Sequence, residues 1–494
     1  MANGETRKPN VLWIGVDQLR YDTPGCNGNT VCQTPQIDRL AGAGVSFDAA
    51  YTPSSLCTPA RASMLTGRFA FTHGMGTNCG LYHSLAAEVP DPEMLLHYRL
   101  MRQGYRCGFV GKWHVGTEKG PADYGFEGMN ITGYGNIRQD PGFLAYLERN
   151  GLRYEIREPM FANAGGNTLL GGLWDGPAAS TPAHYLAEST LEMLDGYADS
   201  DQPFFLTCQF WGPHMPHLPS CEFAGLHDRQ AIQPWPNFHE DGGDKPIFLR
   251  RVREDFYRQG PYTWDRCREM VGLYYDFTTM IDAEIGRILA HLEALGLADS
   301  TIVVLTTDHG DMTGSHGGLL DKGYMYEEAH HIPLIVAWQG QFSRGARSDE
   351  LVYNMDIFPT LLDLLGLSQE ADDGLDGRSF LPCLCGRPHG RPREELLLEF
   401  HGIRYLYSQR ALRTRDGWKY IFTPGDRDEC YDLNTDPAER NNRIDDPACA
   451  EKVRELRERL KHAASAAGDP ILDCIWKYFG DWDTPSDQFD CSRL

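Results

Sequence analysis

Short apolar runs separated by amphipathic stretches set the rhythm of this chain. The runs are "NVLWIGV" (10–16), "GYRCGFVG" (104–111), "PFFLTCQF" (203–210), "TIVVLTT" (301–307) and "IPLIVAW" (332–338). Continuous apolar runs this short read as strands buried on both faces, the pattern of a parallel sheet. Helical patterns lie between them. In "FTTMIDAEIGRILAHLEALG" (277–296), Met280, Ile281, Ile285, Ile288, Leu289 and Leu292 fall on one stripe, and Gly296 stands where a C-terminal cap belongs. Strands alternating with helices predict an α/β fold with helices on both faces of the sheet.

The rhythm changes near "CGRPHGRPREE" (385–395), where Gly, Pro and Arg mark a linker. Beyond it, "ELLLEF", "ALRTR" and "WKYIF" are strand-like, and Asp416-Gly417 between the last two is a strong hairpin signal. "CAEKVRELRERLKHAASAAG" (449–468) reads as a helix. The chain is therefore expected to divide into an α/β domain, 1–385, and a smaller antiparallel α+β domain, 386–494. The tail 470–494 carries Trp476, Tyr478, Phe479, Trp482 and Phe489. Such a tail is expected to dock on the body or on a second subunit, so a homo-oligomer is expected.

With 494 residues, 41% hydrophobic and 23% charged, the chain can bury a large core without staples. A net charge of −23 argues against nucleic acids and anionic membranes as partners. It also means that a site for an anion must bring its own local positive charge. No run approaches the ~18 apolar residues of a membrane span. The 14 cysteines form no CxxC pair and, in a chain of this length, no evident disulfide framework. The start, "MANGETRKPNVLWIGVDQ", lacks the charged-then-apolar secretory pattern, so a cytoplasmic location is expected.

Candidate chemistry sits at the ends of the apolar runs. They are followed by Asp17-Gln18, by Lys112-Trp113-His114, by His214 and by Asp308-His309. Open α/β sheets bind ligands at the carboxyl ends of their strands. Taken singly, each group reads as a cap or turn residue; their joint occurrence is harder to explain that way. Asp17, Gln18, Asp308 and His309 offer three oxygen donors and one imidazole, a set that suits Mn²⁺, Ca²⁺ or Mg²⁺ better than structural zinc. The plainer reading of "DHGD" is a hydrogen-bonded turn.

In "LCTPARASMLTGR" (56–68), Pro59 suits a first helical turn and Gly67 a last one. Cys57 would then lie at the positive end of the helix dipole among free N–H groups, which lowers a thiol pKa and attracts anions. Arg61, one turn on, would project to the same place. The alternative is a buried thiol in a turn. His330-His331 read as structural and His316 as a turn residue. Trp13, Trp113 and Trp211 fit core packing or an aromatic pocket. The less patterned stretches, about 120–180 and 215–265, are expected to set specificity.

Cys57-Thr58-Pro59-Ala60-Arg61 followed by "LTGR" (65–68) resembles the Cys-x-Pro-x-Arg signature of the type I sulfatases of the alkaline phosphatase superfamily. "VLWIGVDQLRYD", "GKWHVG", "TTDHGDMTGSHG", "YEEAHHIPLIV" and "YDLNTDPAERNN" extend the resemblance over nearly the whole chain. It implies a large mixed, mostly parallel sheet and the hydrolysis of organic sulfate monoesters, aryl or alkyl, to alcohol and sulfate. It implies that a maturation system oxidises Cys57 to formylglycine. One hydroxyl of the hydrated aldehyde attacks sulfur; the other then loses its proton, and sulfate is expelled.

The resemblance makes Asp17, Gln18, Asp308 and His309 ligands of one divalent metal, with modified Cys57 as a further ligand and the nucleophile. It makes Arg61 the group that orients residue 57, and Lys112 and Lys322 clamps on sulfate. His114 becomes the base that reopens the aldehyde, His214 the donor or acid at the leaving oxygen, and Asn78 a pocket residue. Many sulfatases carry Asp-Asp and Asp-Asn where this chain has Asp-Gln and Asp-His. Phosphonate monoester hydrolases, which share the modified cysteine, have the Gln and His forms, which strengthens the case for Mn²⁺ and leaves Mn²⁺ or Ca²⁺ as the expected metal. "GKWHVG", in turn, supplies the Lys and His of a sulfatase. A phosphonate monoester or phosphodiester hydrolase using the same residues is the rival reading. A binding protein with unmodified Cys57 is the rival from another class.

Overall fold

The structure, a computed structural model, describes residues 8–81, 84–162, 168–256, 263–367, 374–388, 390–403 and 407–471. In chain order β1 (Asn10–Asp17), β2 (Val45–Phe47), β3 (Arg106–Gly111), β4 (Glu127–Gly128), β5 (Phe204–Pro213), β6 (Thr301–Thr306), β7 (Leu334–Ala337) and β8 (Ala346–Ser348) build one sheet. Its order is β8-β2-β7-β6-β1-β5-β3-β4. β1 lies between β5 and β6, parallel to both, and every one of its residues is buried. That double burial is why its sequence is continuously apolar.

Only β7 runs against the rest of this sheet. "IPLIVAW" is thus a strand, but not the parallel one expected from its composition. β6 ends at the carboxyl edge, and residues 307–333 contain only the four-residue helices Ser315–Gly318 and Glu327–His330. No crossover returns the chain to the opposite edge, so the next strand has to run back. The edge strands β4 and β8, and β2 beside β8, have two or three residues each, too few to leave a pattern in the sequence.

Helices cover both faces. Leu12, Ile14, Leu206 and Cys208 pack with Leu186, Ala187, Ile281 and Ile285. The alternate residues Val11, Trp13, Phe205 and Val304 pack on the other face with Ala62, Leu65, Phe109 and Trp113. Ala62 and Leu65 belong to α1 (Cys57–Thr66), Leu186 and Ala187 to α2 (Pro182–Ala198), and the two isoleucines to α3 (Trp264–Ala294). α3 begins well before residue 277. Cys267, Met270, Val271 and Tyr274 continue its buried stripe, and the Thr263 side chain caps it by accepting from Arg266 N–H.

A second sheet follows in sequence order: β9 (Glu395–Phe400), β10 (Gln409–Thr414), β11 (Trp418–Phe422) and β12 (Glu429–Asp432), all antiparallel. Gly417 turns β10 into β11 at φ 90°, a conformation that glycine adopts without strain. α4 (Ala450–Ala467) lays Val453, Leu456 and Leu460 on this sheet. The same core takes Tyr51, Leu56, Tyr324 and Tyr326, so the small sheet buttresses the segment that leads into α1. The aromatic tail lies outside the described residues. Among those described, no helix is long and apolar enough to cross a membrane.

Buried imidazoles give the fold a pH signature. Burial holds His73, His97, His114 and His217 down to about 4, and His330 down to about 3. Their unfolded forms bind protons near pH 6.5. Between pH 6.5 and 4 the unfolded chain therefore binds more protons, and stability falls as pH falls. Burial raises Asp282 and Asp311 to about 6 and also raises Glu439, which pulls the other way, but these three groups do not offset the five histidines. The melting temperature, followed by calorimetry, is expected to fall by several degrees from pH 6.5 to 4.5. A flat profile would show that these imidazoles are not held neutral.

Candidate active site

The carboxyl edge of the large sheet gathers side chains from four strands and one helix. β1 delivers Asp17 and Gln18, with Gln18 at φ 64°. β3 runs into Lys112 and His114, β5 into His214, and β6 into Asp308 and His309. α1 opens on Cys57, so this thiol meets the free N–H end of the helix. Gln18 N–H donates to Asp308 Oδ1 at 3.1 Å, which brings the two acidic strand ends together.

Cys57 Sγ lies 3.1 Å from His309 Nε2 and 3.8 Å from Lys112 Nζ. Burial pushes the thiol up; Lys112, Lys322 and His309 outweigh burial and hold it well below its usual value. Asp17 follows the same logic. Burial raises it, and Lys112, whose ammonium donates to Asp17 Oδ2, helps to bring it below the carboxylate range. His309 Nδ1 faces the Gly310 carbonyl at 2.9 Å and must donate to it, which leaves Nε2 pointing at the cluster. Burial lowers His309, but Asp308 and Cys57 carry it up to about 9.

Arg61 ties the edge together. Nε donates to Asp308 Oδ2 at 2.9 Å, and Nη1 donates to the Lys112 carbonyl at 2.9 Å and to Gln209 Oε1 at 3.3 Å. Nη2 lies 3.6 Å from Asp17 Oδ2. One guanidinium thus spans the ends of β1, β3, β5 and β6.

The residues present fit a cation. Asp17, Cys57, Asp308 and His309 each offer a ligand atom within 4.8 Å of the others. Asp17 Oδ1 is buried without a hydrogen-bond partner, a costly state that a cation would relieve. Two carboxylates and an imidazole are the donors of such a site. The Gln18 side chain is fixed by its own hydrogen bonds. Its amide nitrogen donates to Asp311 and, at 3.2 Å, to Asp321, so its oxygen must face the other way, toward Lys322 Nζ at 3.0 Å.

The remaining expected residues are placed as follows. Lys322 Nζ lies against His214 Nε2, and His214 Nδ1 donates to the Met215 carbonyl at 2.6 Å. His114 is buried, its Nδ1 has no hydrogen-bond partner, and burial holds it down to about 4. Asn78 is expected to line the pocket, yet its side-chain oxygen accepts from Thr58 N–H at 3.0 Å and is committed to the start of α1. His316 stands apart with Glu240 at 3.0 Å and Glu328 at 3.2 Å. His331 stacks between Tyr21 and Tyr51, and His330 bonds the Thr52 carbonyl at 2.9 Å.

Tyr134 is one residue that the sequence reading misses. Its ring lies 4.4 Å from Lys112 Nζ, 5.3 Å from His114 and 5.6 Å from His214. The one signal was local: Gly133 and Gly135 flank it at φ 59° and 67°, a turn that presents the ring. Asp311 and Asp321 were missed as well, although the second Asp of "DHGD" was in view.

The sulfatase family pattern matches residues 9–367. The chain belongs to the sulfatase family. Residues 314–466 also match the pattern described as "N-sulphoglucosamine sulphohydrolase, C-terminal". An N-acetylglucosamine-6-O-sulfatase of Bacteroides thetaiotaomicron is 25% identical, the match covering 92% of this chain and 86% of the relative. An arylsulfatase of Clostridium perfringens is 27% identical, covering 92% and 94%. The phosphonate monoester hydrolase of Agrobacterium radiobacter superposes with a TM-score of 0.77 at 22% identity, covering 93% of this chain and 96% of that one, and shares the fold. This sulfatase is a sulfuric ester hydrolase of the alkaline phosphatase superfamily, a family that works with a divalent metal and a formylglycine.

Proposed function

We propose that this sulfatase cleaves organic sulfate monoesters with formylglycine at position 57 and one divalent cation, Mn²⁺ or Ca²⁺. Asp17, Gln18, Asp308, His309 and residue 57 would hold that cation. The observation that carries the reading is the cluster of four ligand atoms around a partnerless Asp17 oxygen at the mouth of α1. When present, the cation polarises the sulfate oxygens, and the oxidised residue 57 offers a hydroxyl nucleophile.

The chain's own residues do the rest. Arg61 fixes the carboxylates and the start of β3's exit loop, so that the ligands and residue 57 keep one geometry. Lys112 and Lys322 offset the net charge of −23 locally and draw the sulfate group in. His114, neutral in its buried setting, accepts the proton when the aldehyde re-forms. His214 already donates from Nδ1 to a carbonyl, so a proton for the leaving oxygen is one shared between its Nε2 and Lys322 Nζ. We place this chemistry in residues 1–385 and assign 386–494 as the buttressing domain.

Gln18 and His309 favour a second reading, a phosphonate monoester hydrolase. Comparison of kcat/KM for an aryl sulfate and an aryl phosphonate monoester separates the two. The sulfate ester is expected to be the better substrate; the reverse order would hand the site to the second reading. Mass spectrometry of the peptide spanning Cys57 is expected to show the aldehyde in protein made with a maturation system. A thiol there would favour a binding role.

A further inference from the structure

A cavity of about 230 Å³ opens beside the cluster. Tyr134 and His214 line it, and both also face the cluster through Lys112 and Lys322. The two rings are therefore a wall shared by the cavity and the site. The other walls include Trp174, Leu186, Trp211 and Phe277, with Asn136 and Arg138 as further polar lining residues. Both indole N–H groups are spent inside the protein: Trp211 Nε1 donates to the Tyr134 carbonyl at 3.0 Å and Trp174 Nε1 to Ser180 Oγ at 2.9 Å. Among the described residues, no Asp or Glu lines the cavity.

We propose that this cavity takes the alcohol half of the substrate, and that this half is an apolar ring system: the sulfate ester of a phenol or a fused-ring aryl alcohol, not of a sugar. The inference rests on the sulfatase reading above, which sets the leaving oxygen at His214. A pyranose would press hydroxyls against the carbon faces of Trp174, Leu186, Trp211 and Phe277, where only Asn136, Arg138 and the two shared rings offer polar partners and no carboxylate does, and a hydroxyl buried without a partner is costly. A flat ring gains by leaving water and by lying against Trp211. A cavity of roughly 150 Å³ holds one benzene ring. The larger volume here admits a substituted or fused ring.

Phenyl sulfate and 2-naphthyl sulfate test this, because their leaving oxygens are of similar acidity and differ mainly in the body to be housed. The full chain with the aldehyde at 57 is expected to favour the naphthyl ester roughly tenfold in kcat/KM. Both are expected to exceed glucosamine 6-sulfate. Trp211→Ala should bring the naphthyl-to-phenyl ratio close to one. Ala183→Phe, filling the cavity from the first turn of α2, should bring it below one. The ratio does not depend on the fraction of variant that folds. An unchanged ratio in both variants, or faster turnover of the sulfated sugar, overturns the proposal. Calorimetric binding of 2-naphthol tests the cavity apart from turnover: wild type should bind it and Ala183→Phe should not. Naphthol binding without any sulfate release would leave the cavity standing and overturn the sulfatase reading, whereas no binding to wild type sinks the cavity assignment.

Discussion

Cys57→Ala is expected to remove sulfate ester turnover, by roughly 10⁴-fold or more, while moving the melting temperature little. The thiol is fully buried, which for most cysteines signals packing. Its surroundings differ from a core. His309 Nε2 lies 3.1 Å from the sulfur and Lys112 Nζ 3.8 Å, His114 also hydrogen-bonds it, and Lys322 acts on its charge. Losing one sulfur leaves a small void and removes no apolar contact surface of consequence. Paired turnover and calorimetry decide the matter. A variant that loses much of its stability would show a packing role and sink the assignment of residue 57 as nucleophile.

Arg61→Met is expected to damage both properties. The guanidinium is 4% exposed and serves Asp308, Asp17, the Lys112 carbonyl and Gln209. Its removal leaves two buried carboxylates with less compensation, a change worth about 3–5 kcal/mol. Turnover should fall roughly 10³-fold, as for loss of one preorganised donor. A cation held between the same carboxylates, as proposed above, would supply part of the missing charge. The loss of stability should therefore be larger with a chelator than with saturating Mn²⁺. Arg61→Lys keeps the charge without the fork and should fall between. A chelated Arg61→Met protein that melts with the wild type would refute this account.

The sequence exposes those parts of the fold whose residues answer to one local constraint. β1, β3, β5 and β6 are buried on both faces, so their composition alone gives them away, and the polar residues after them follow from the sheet's edge. α1 shows both ends because Pro59 and Gly67 each fit one end of a helix. What stayed hidden depends on distant partners. The direction of β7 depends on how residues 307–333 travel along the edge. The early start of α3 was masked by Arg and Glu residues between its apolar ones. The orientation of Gln18 needs Asp311 and Asp321, and the place of Tyr134 needs Lys112 from another strand. Asn78 shows the converse: a polar residue near a signature cysteine serves the backbone beside it.

The complete burial of Cys57 has a consequence for the life of the polypeptide. No protein-sized catalyst can touch that sulfur once the strand tips have met. The oxidation proposed at residue 57 would therefore belong to the interval between synthesis and folding. The contacts that close the pocket join residues as distant as Gln18 and Asp308, 290 positions apart, and such pairings form late. A late closure would keep the sulfur in reach. A variant or host that hastens folding would give a sound scaffold with fewer active molecules.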